Sequence, residues 1–104
     1  MLVILRFRVP TSRRGGFDTA LEGLVAHLRG CEGLVDLQVG RAVDDDELVA
    51  VVTRWATPKA WRRAYGTAAG RMAFLPVVAD LLDEPSAYVG PDDDHENVPR
   101  TTRG

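Results

Sequence analysis

The chain reads as an α+β protein of ferredoxin-like β-α-β-β-α-β order, and three features of its 104 residues lead there. Short runs rich in β-branched and aromatic residues occur at 2–9, 34–42 and 48–55. Between and after them, apolar residues return every three or four positions, the period of a helix with one buried face. A Thr57-Pro58 pair then marks where the second helical stretch begins. The order matches a split βαβ unit.

Strand one is "LVILRFRV", stopped by Pro10, which has no N–H to give to a ladder. After the turn-like "PTSRRGG", Phe17, Leu21, Leu24 and Leu28 share a face while Asp18, Glu22 and Arg29 point away. This predicts helix one from about Gly16 to Arg29, with Gly30 ending it. In "GLVDLQVGRA", Val35, Leu37 and Val39 alternate with Asp36 and Gln38. The polar "VDDDE" turns the chain, and "LVAVVTRW" completes a hairpin over residues 34–55. The Thr57 hydroxyl is suited to cap helix two, and Pro58 at its first position gives up an N–H that would have no partner anyway. Gly66 ends that helix. A third helical stretch, about Ala68 to Leu82, carries Met72, Leu75, Val78, Ala79 and Leu82, with a kink at Pro76. "PSAYVG" supplies a short last strand. The domain is expected to span residues 1–90, with 91–104 as a polar tail lacking apolar periodicity.

Composition removes several functional classes. A net charge of −2 argues against nucleic acid, whose phosphates call for a basic face. The pairs Arg13/Arg14 and Arg62/Arg63 read as solvated charge. One cysteine, Cys31, permits no intrachain disulfide, and a reducing, cytoplasmic setting is the expectation. Arg6 and Arg8 interrupt the first apolar run, so it is no secretion signal, and no run of about 20 apolar residues is present to span a membrane. His27 and Cys31 are only two potential ligands, short of the three or four that zinc takes, so no metal site is expected. The acidic runs 44–47 and 92–96 lack the spacing of a calcium loop and read as a solvated turn and tail. No G-x-S-x-G motif or phosphate loop occurs.

The strands predict assembly. Val3, Leu5, Phe7 and Val9 form one face of strand one, yet Leu2 and Ile4 sit on the other. Val49, Val51 and Trp55 likewise oppose Leu48, Ala50 and Val52 in strand three. Both helical crossovers lie on one side of such a sheet, so the second apolar face needs another cover. A second copy of the chain is the expected one, giving a homodimer.

The hairpin strand ending "VVTRW", the capped helix "ATPKAWRRAY" and the last strand entered through "DEPSAYV" resemble the antibiotic biosynthesis monooxygenase family of dimeric α+β barrels. The resemblance implies a pocket between the sheet and helices two and three. In the family's polyketide oxygenases a tryptophan ending strand three and an asparagine four residues earlier face that pocket. Trp55 matches the first, while Val51 replaces the amide. The family's helix-two tyrosine falls at Trp61, Tyr65 stands one turn on with a hydroxyl, and Arg71 supplies positive charge. Haem degradation is not implied: its strand-one asparagine would fall at the parity of Leu5 and Phe7, and its axial histidine at Phe74.

The resemblance therefore implies Tyr65 and Arg71 as catalytic residues and Trp55, Trp61, Val51 and Phe74 as substrate-binding ones, with no cofactor. The matching activity is cofactor-independent monooxygenation of a planar anthrone- or quinol-type molecule. The alternative is a small-molecule binding or accessory protein on the same barrel. From the residues alone, two tryptophans and a tyrosine within eleven positions are equally suited to filling a small core.

Overall fold

Four antiparallel strands with three helices over one face make up the computed structural model, which describes residues 1–82 and 86–90. The elements are β1 (Leu2–Arg8), α1 (Arg14–Arg29), β2 (Leu34–Ala42), β3 (Asp45–Trp55), α2 (Pro58–Gly66), α3 (Ala68–Phe74) and β4 (Ser86–Tyr88). A 3-10 turn at Thr11–Arg13 leads into α1, and a longer one at Leu75–Asp80 follows α3. The sheet order is β2-β3-β1-β4. This is the α+β, ferredoxin-like arrangement that the element order predicts. The tail at 91–104, with its acidic run and His95, lies outside the described residues, as does Pro85 of the expected last strand.

Register explains the core. Val3, Leu5 and Phe7 of β1 stand opposite Thr53, Val51 and Val49 of β3, so all six side chains share the helix-covered face. Phe17, Leu21, Leu24 and Leu28 of α1 are buried against them at the predicted helical spacing. Phe7 and Phe17 meet edge to face with centroids 5.2 Å apart. The opposite face of the sheet carries Leu2, Ile4, Leu48 and Ala50, all half-buried, and Val52, exposed. Arg6, Arg8 and Arg54 share that face by alternation.

The structure corrects the reading in three places. Of Val35, Leu37 and Val39, only Leu37 is buried: a register shift between Leu34 and Asp36 takes Val35 out of the alternation, and Val39 lies on the edge strand. The hairpin turn is shorter than "VDDDE". Pairing resumes at Asp45, which accepts the Glu47 N–H at 3.0 Å and the Arg8 guanidinium at 3.1 Å. These contacts, the backbone one first, hold the Asp45 carboxyl below the usual range. Finally, Met72, Leu75, Val78 and Leu82 are exposed, while Phe74 and Val77 are buried. The α-helix gives way at Leu75 to a 3-10 turn that carries Pro76, which has no N–H, and across both the expected stripe faces outward while Phe74 and Val77 face in.

Arg13, Arg62 and Arg63 are exposed, whereas Arg14 is half-buried with its Nε enclosed. Arg13 pairs with Asp80, Arg14 donates to the Asp46 carbonyl, and Arg63 stands 3.7 Å from Glu32.

Candidate active site

Two caps place the site. The Thr57 hydroxyl accepts the Ala60 N–H at 3.1 Å and opens α2, with Pro58 in its first turn. Trp61 and Tyr65, four residues apart, then lie on one flank of the helix. The Thr67 hydroxyl accepts the Gly70 N–H at 3.0 Å and opens α3, which turns Arg71 and Phe74 toward that flank.

The aromatic rings form one continuous group from core to surface. Trp55 and Trp61 are tilted against each other at 5.7 Å between centroids. Trp61 stacks on Tyr65 at 5.1 Å with only 17° between the planes. Phe74 meets Tyr65 edge-on at 4.8 Å and Trp61 at 6.1 Å. These geometries are the offset-stacked and T-shaped ones that ring quadrupoles favour.

At the outer end lies an open cleft of about 270 Å³, lined by Tyr65, Gly66, Arg71, Phe74, Leu75 and Val78. Its volume is near the lower end of small-molecule sites, about 300 Å³, and its walls are mostly apolar with a phenol and a guanidinium among them. Among the described residues no carboxylate lines it, and the Arg71 charge favours an anionic form of any ligand held there. The structure thus brings together Tyr65, Arg71 and Phe74, with Trp61 directly behind the Tyr65 ring.

Trp55 and Val51 are placed differently. Both are fully enclosed, Trp55 at 1% exposure, and neither lines this cleft. The Trp55 indole N–H donates to the Thr53 hydroxyl at 2.8 Å, and that hydroxyl donates to the Val3 carbonyl at 3.0 Å. The chain satisfies two buried polar groups, and the indole has no donor left for a ligand. Trp61 is also buried and acts as the floor under Tyr65.

Sequence reading passed over Leu75 and Val78 as cleft walls, although both belong to the apolar stripe it identified. In the sequence Gly66 signals only a helix stop. Thr53 gave no signal, because its partnership with Trp55 depends on two same-face positions of one strand being buried together.

His27 donates its Nε2–H to the Ala64 carbonyl at 3.1 Å, and Cys31 Sγ lies 3.6 Å from the same nitrogen. Burial pushes the Cys31 thiol pKa up, and its S–H donates to the His27 carbonyl at 3.3 Å. Among the described residues no three His, Cys, Asp or Glu side chains gather where a metal ion would sit. No described helix is long and apolar enough to cross a membrane.

With this geometry in place, comparison with known proteins is informative. The family model for antibiotic biosynthesis monooxygenases matches residues 1–71, from β1 through Arg71 of α3. The chain belongs to that family. Solved structures share its fold at low identity. SnoaB, a cofactor-independent oxygenase from Streptomyces nogalater, superposes with a TM-score of 0.71 at 19% identity, over 88% of this chain and 96% of that one. A Mycobacterium tuberculosis protein gives 0.72 at 17%, over 89% and 95%. A conserved protein from Methanosarcina mazei gives 0.72 at 15%, over 82% and 84%. No curated protein matches the sequence significantly.

Proposed function

We propose that this member of the family is a cofactor-independent monooxygenase of a planar anthrone- or quinol-type molecule, working at the Tyr65–Arg71 cleft. The observation that carries the reading is the meeting of a phenol, a guanidinium and a Phe74 edge around one open apolar cleft. SnoaB's activity supports it as that of a structural neighbour.

Ground-state oxygen reacts slowly with closed-shell molecules, so the substrate itself must become a good one-electron donor. An anthrone does so on losing a ring C–H proton. Its carbanion passes an electron to oxygen, the resulting radical and superoxide combine, and the peroxide loses water. The balance is CH₂ plus O₂ giving C=O plus H₂O. The protein's part is to hold the ring on an apolar wall, donate a hydrogen bond from the Tyr65 hydroxyl to the enolate oxygen, and stabilise the anion with Arg71. Among the described residues no carboxylate or imidazole lines the cleft, and in this reading the proton leaves to water.

That missing base, together with Val51 in place of the family's amide, is what favours the second reading, a binding protein without turnover. Oxygen uptake on an anthrone in the presence of a chelator separates the two. An oxygenase consumes oxygen above the buffer rate, whereas a binding protein shows only ligand-induced tryptophan quenching. Assembly belongs to the same proposal: the half-buried Leu2, Ile4, Leu48 and Ala50 make the face on which a second copy packs.

A further inference from the structure

The last turn of α2 meets both α1 and α3 at a single carbonyl. A helix's final carbonyl groups have no partner within the helix, and Ala64 of Pro58–Gly66 is one of these. His27, reaching across from α1, supplies the missing donor at 3.1 Å. A carbonyl only accepts, so the imidazole proton sits on Nε2. The backbone of Gly70 in α3 approaches the same carbonyl so closely that a Cβ there would stand 2.0 Å from the Ala64 oxygen. The same Cβ would stand 3.1 Å from the Tyr65 backbone carbonyl oxygen. Ala64 and Gly70 are both buried, so neither contact is exchangeable for bulk water.

The residues that follow these two contact points are Tyr65 and Arg71. Each polar wall of the cleft is thus one peptide unit away from the clamp. If Ala64 lost its donor, its buried carbonyl would have to turn toward solvent, and the Ala64–Tyr65 peptide plane would rotate with it. That rotation would move the Tyr65 ring off Trp61 and change its approach to Arg71.

We propose that His27 is a positioning residue. Through the Ala64 carbonyl it fixes the last turn of α2 against α1, at the point where Gly70 of α3 packs on that turn, and so sets Tyr65 relative to Arg71. Its bearing on ligand binding rests on the functional reading above, while the clamp itself does not.

His27→Gln retains an N–H donor, and His27→Glu has nearly the same shape with an acceptor in that place. Near-UV circular dichroism reports the Trp61–Tyr65 stack without any ligand, and fluorescence titration with anthrone reports the cleft. The Gln variant should keep the wild-type near-UV spectrum and bind anthrone within about twofold of wild type. The Glu variant should lose aromatic band structure and bind roughly tenfold more weakly, while its far-UV spectrum stays unchanged. A Glu variant with a wild-type near-UV spectrum, or a Gln variant altered to the same extent, overturns the proposal. Where the Glu variant does not fold, His27→Leu removes the donor without adding a charge. Loss of the aromatic bands then supports the clamp, and a wild-type spectrum overturns it. Wild-type protein that binds no anthrone contradicts the ligand reading alone, since the near-UV comparison decides the clamp without ligand.

Discussion

Trp55 and Tyr65 belong to one aromatic group, but their polar atoms have different surroundings. The Trp55 indole N–H is committed to Thr53, which is committed in turn to Val3. Tyr65, at 39% exposure, borders the cleft. Trp55→Phe should therefore lower stability by about 1–3 kcal/mol, through lost packing and a lost buried hydrogen bond, and leave anthrone affinity within about twofold. Denaturant unfolding and fluorescence titration of the same sample check this. A large loss of affinity with unchanged stability would return Trp55 to the binding surface. The family resemblance implies a tryptophan at the end of strand three facing a ligand. What the bare sequence cannot show is that Thr53, two residues earlier and on the same face, already takes the indole proton.

At the scale of elements, α2 was legible because its signals are local. Thr57 caps, Pro58 follows, and Trp61 and Tyr65 fall one turn apart. α1 was legible for the same reason, through four apolar residues on one face. The stretch after α3 was not. Met72, Leu75 and Val78 keep helical spacing and do share a face, but it is the exposed one, and the inward positions are Phe74 and Val77; spacing alone shows that a face is apolar and not that the same chain covers it. Two of the six cleft-lining residues, Leu75 and Val78, come from that stripe. The link from α1 to β2 hides a second non-local constraint. Gly33 has φ +95°, and a Cβ there would stand 2.4 Å from the Ala60 Cβ of α2. Gly33→Ala should destabilise the protein by about 1–3 kcal/mol, from left-handed backbone strain plus overpacking. Urea unfolding measures it, and a change below about 0.5 kcal/mol would show that the loop does not seat α2.

Taken whole, the molecule has one face of its sheet closed by helices and the other bearing an apolar centre flanked by Arg6, Arg8 and Arg54. A homodimer through that face should sediment at equilibrium with twice the 11.4 kDa chain mass at micromolar concentration, and a stable monomer would contradict the barrel. Fold and family were readable because strand order and helix caps are written into short segments. The reaction is harder to read, because one fold carries several activities and the deciding geometry lies between residues far apart in the chain. The most direct test of the central claim is oxygen uptake on anthrone, with chelator present, by wild type, Tyr65→Phe, Arg71→Ala and Trp55→Phe. Wild type should exceed the buffer rate. Tyr65→Phe and Arg71→Ala should each lose about tenfold or more, as removal of a positioned donor or charge does, and Trp55→Phe should keep its rate while folded. Wild-type uptake no faster than buffer, or equal rates in all four proteins, would contradict the assignment of the Tyr65–Arg71 cleft as the site of oxygenation.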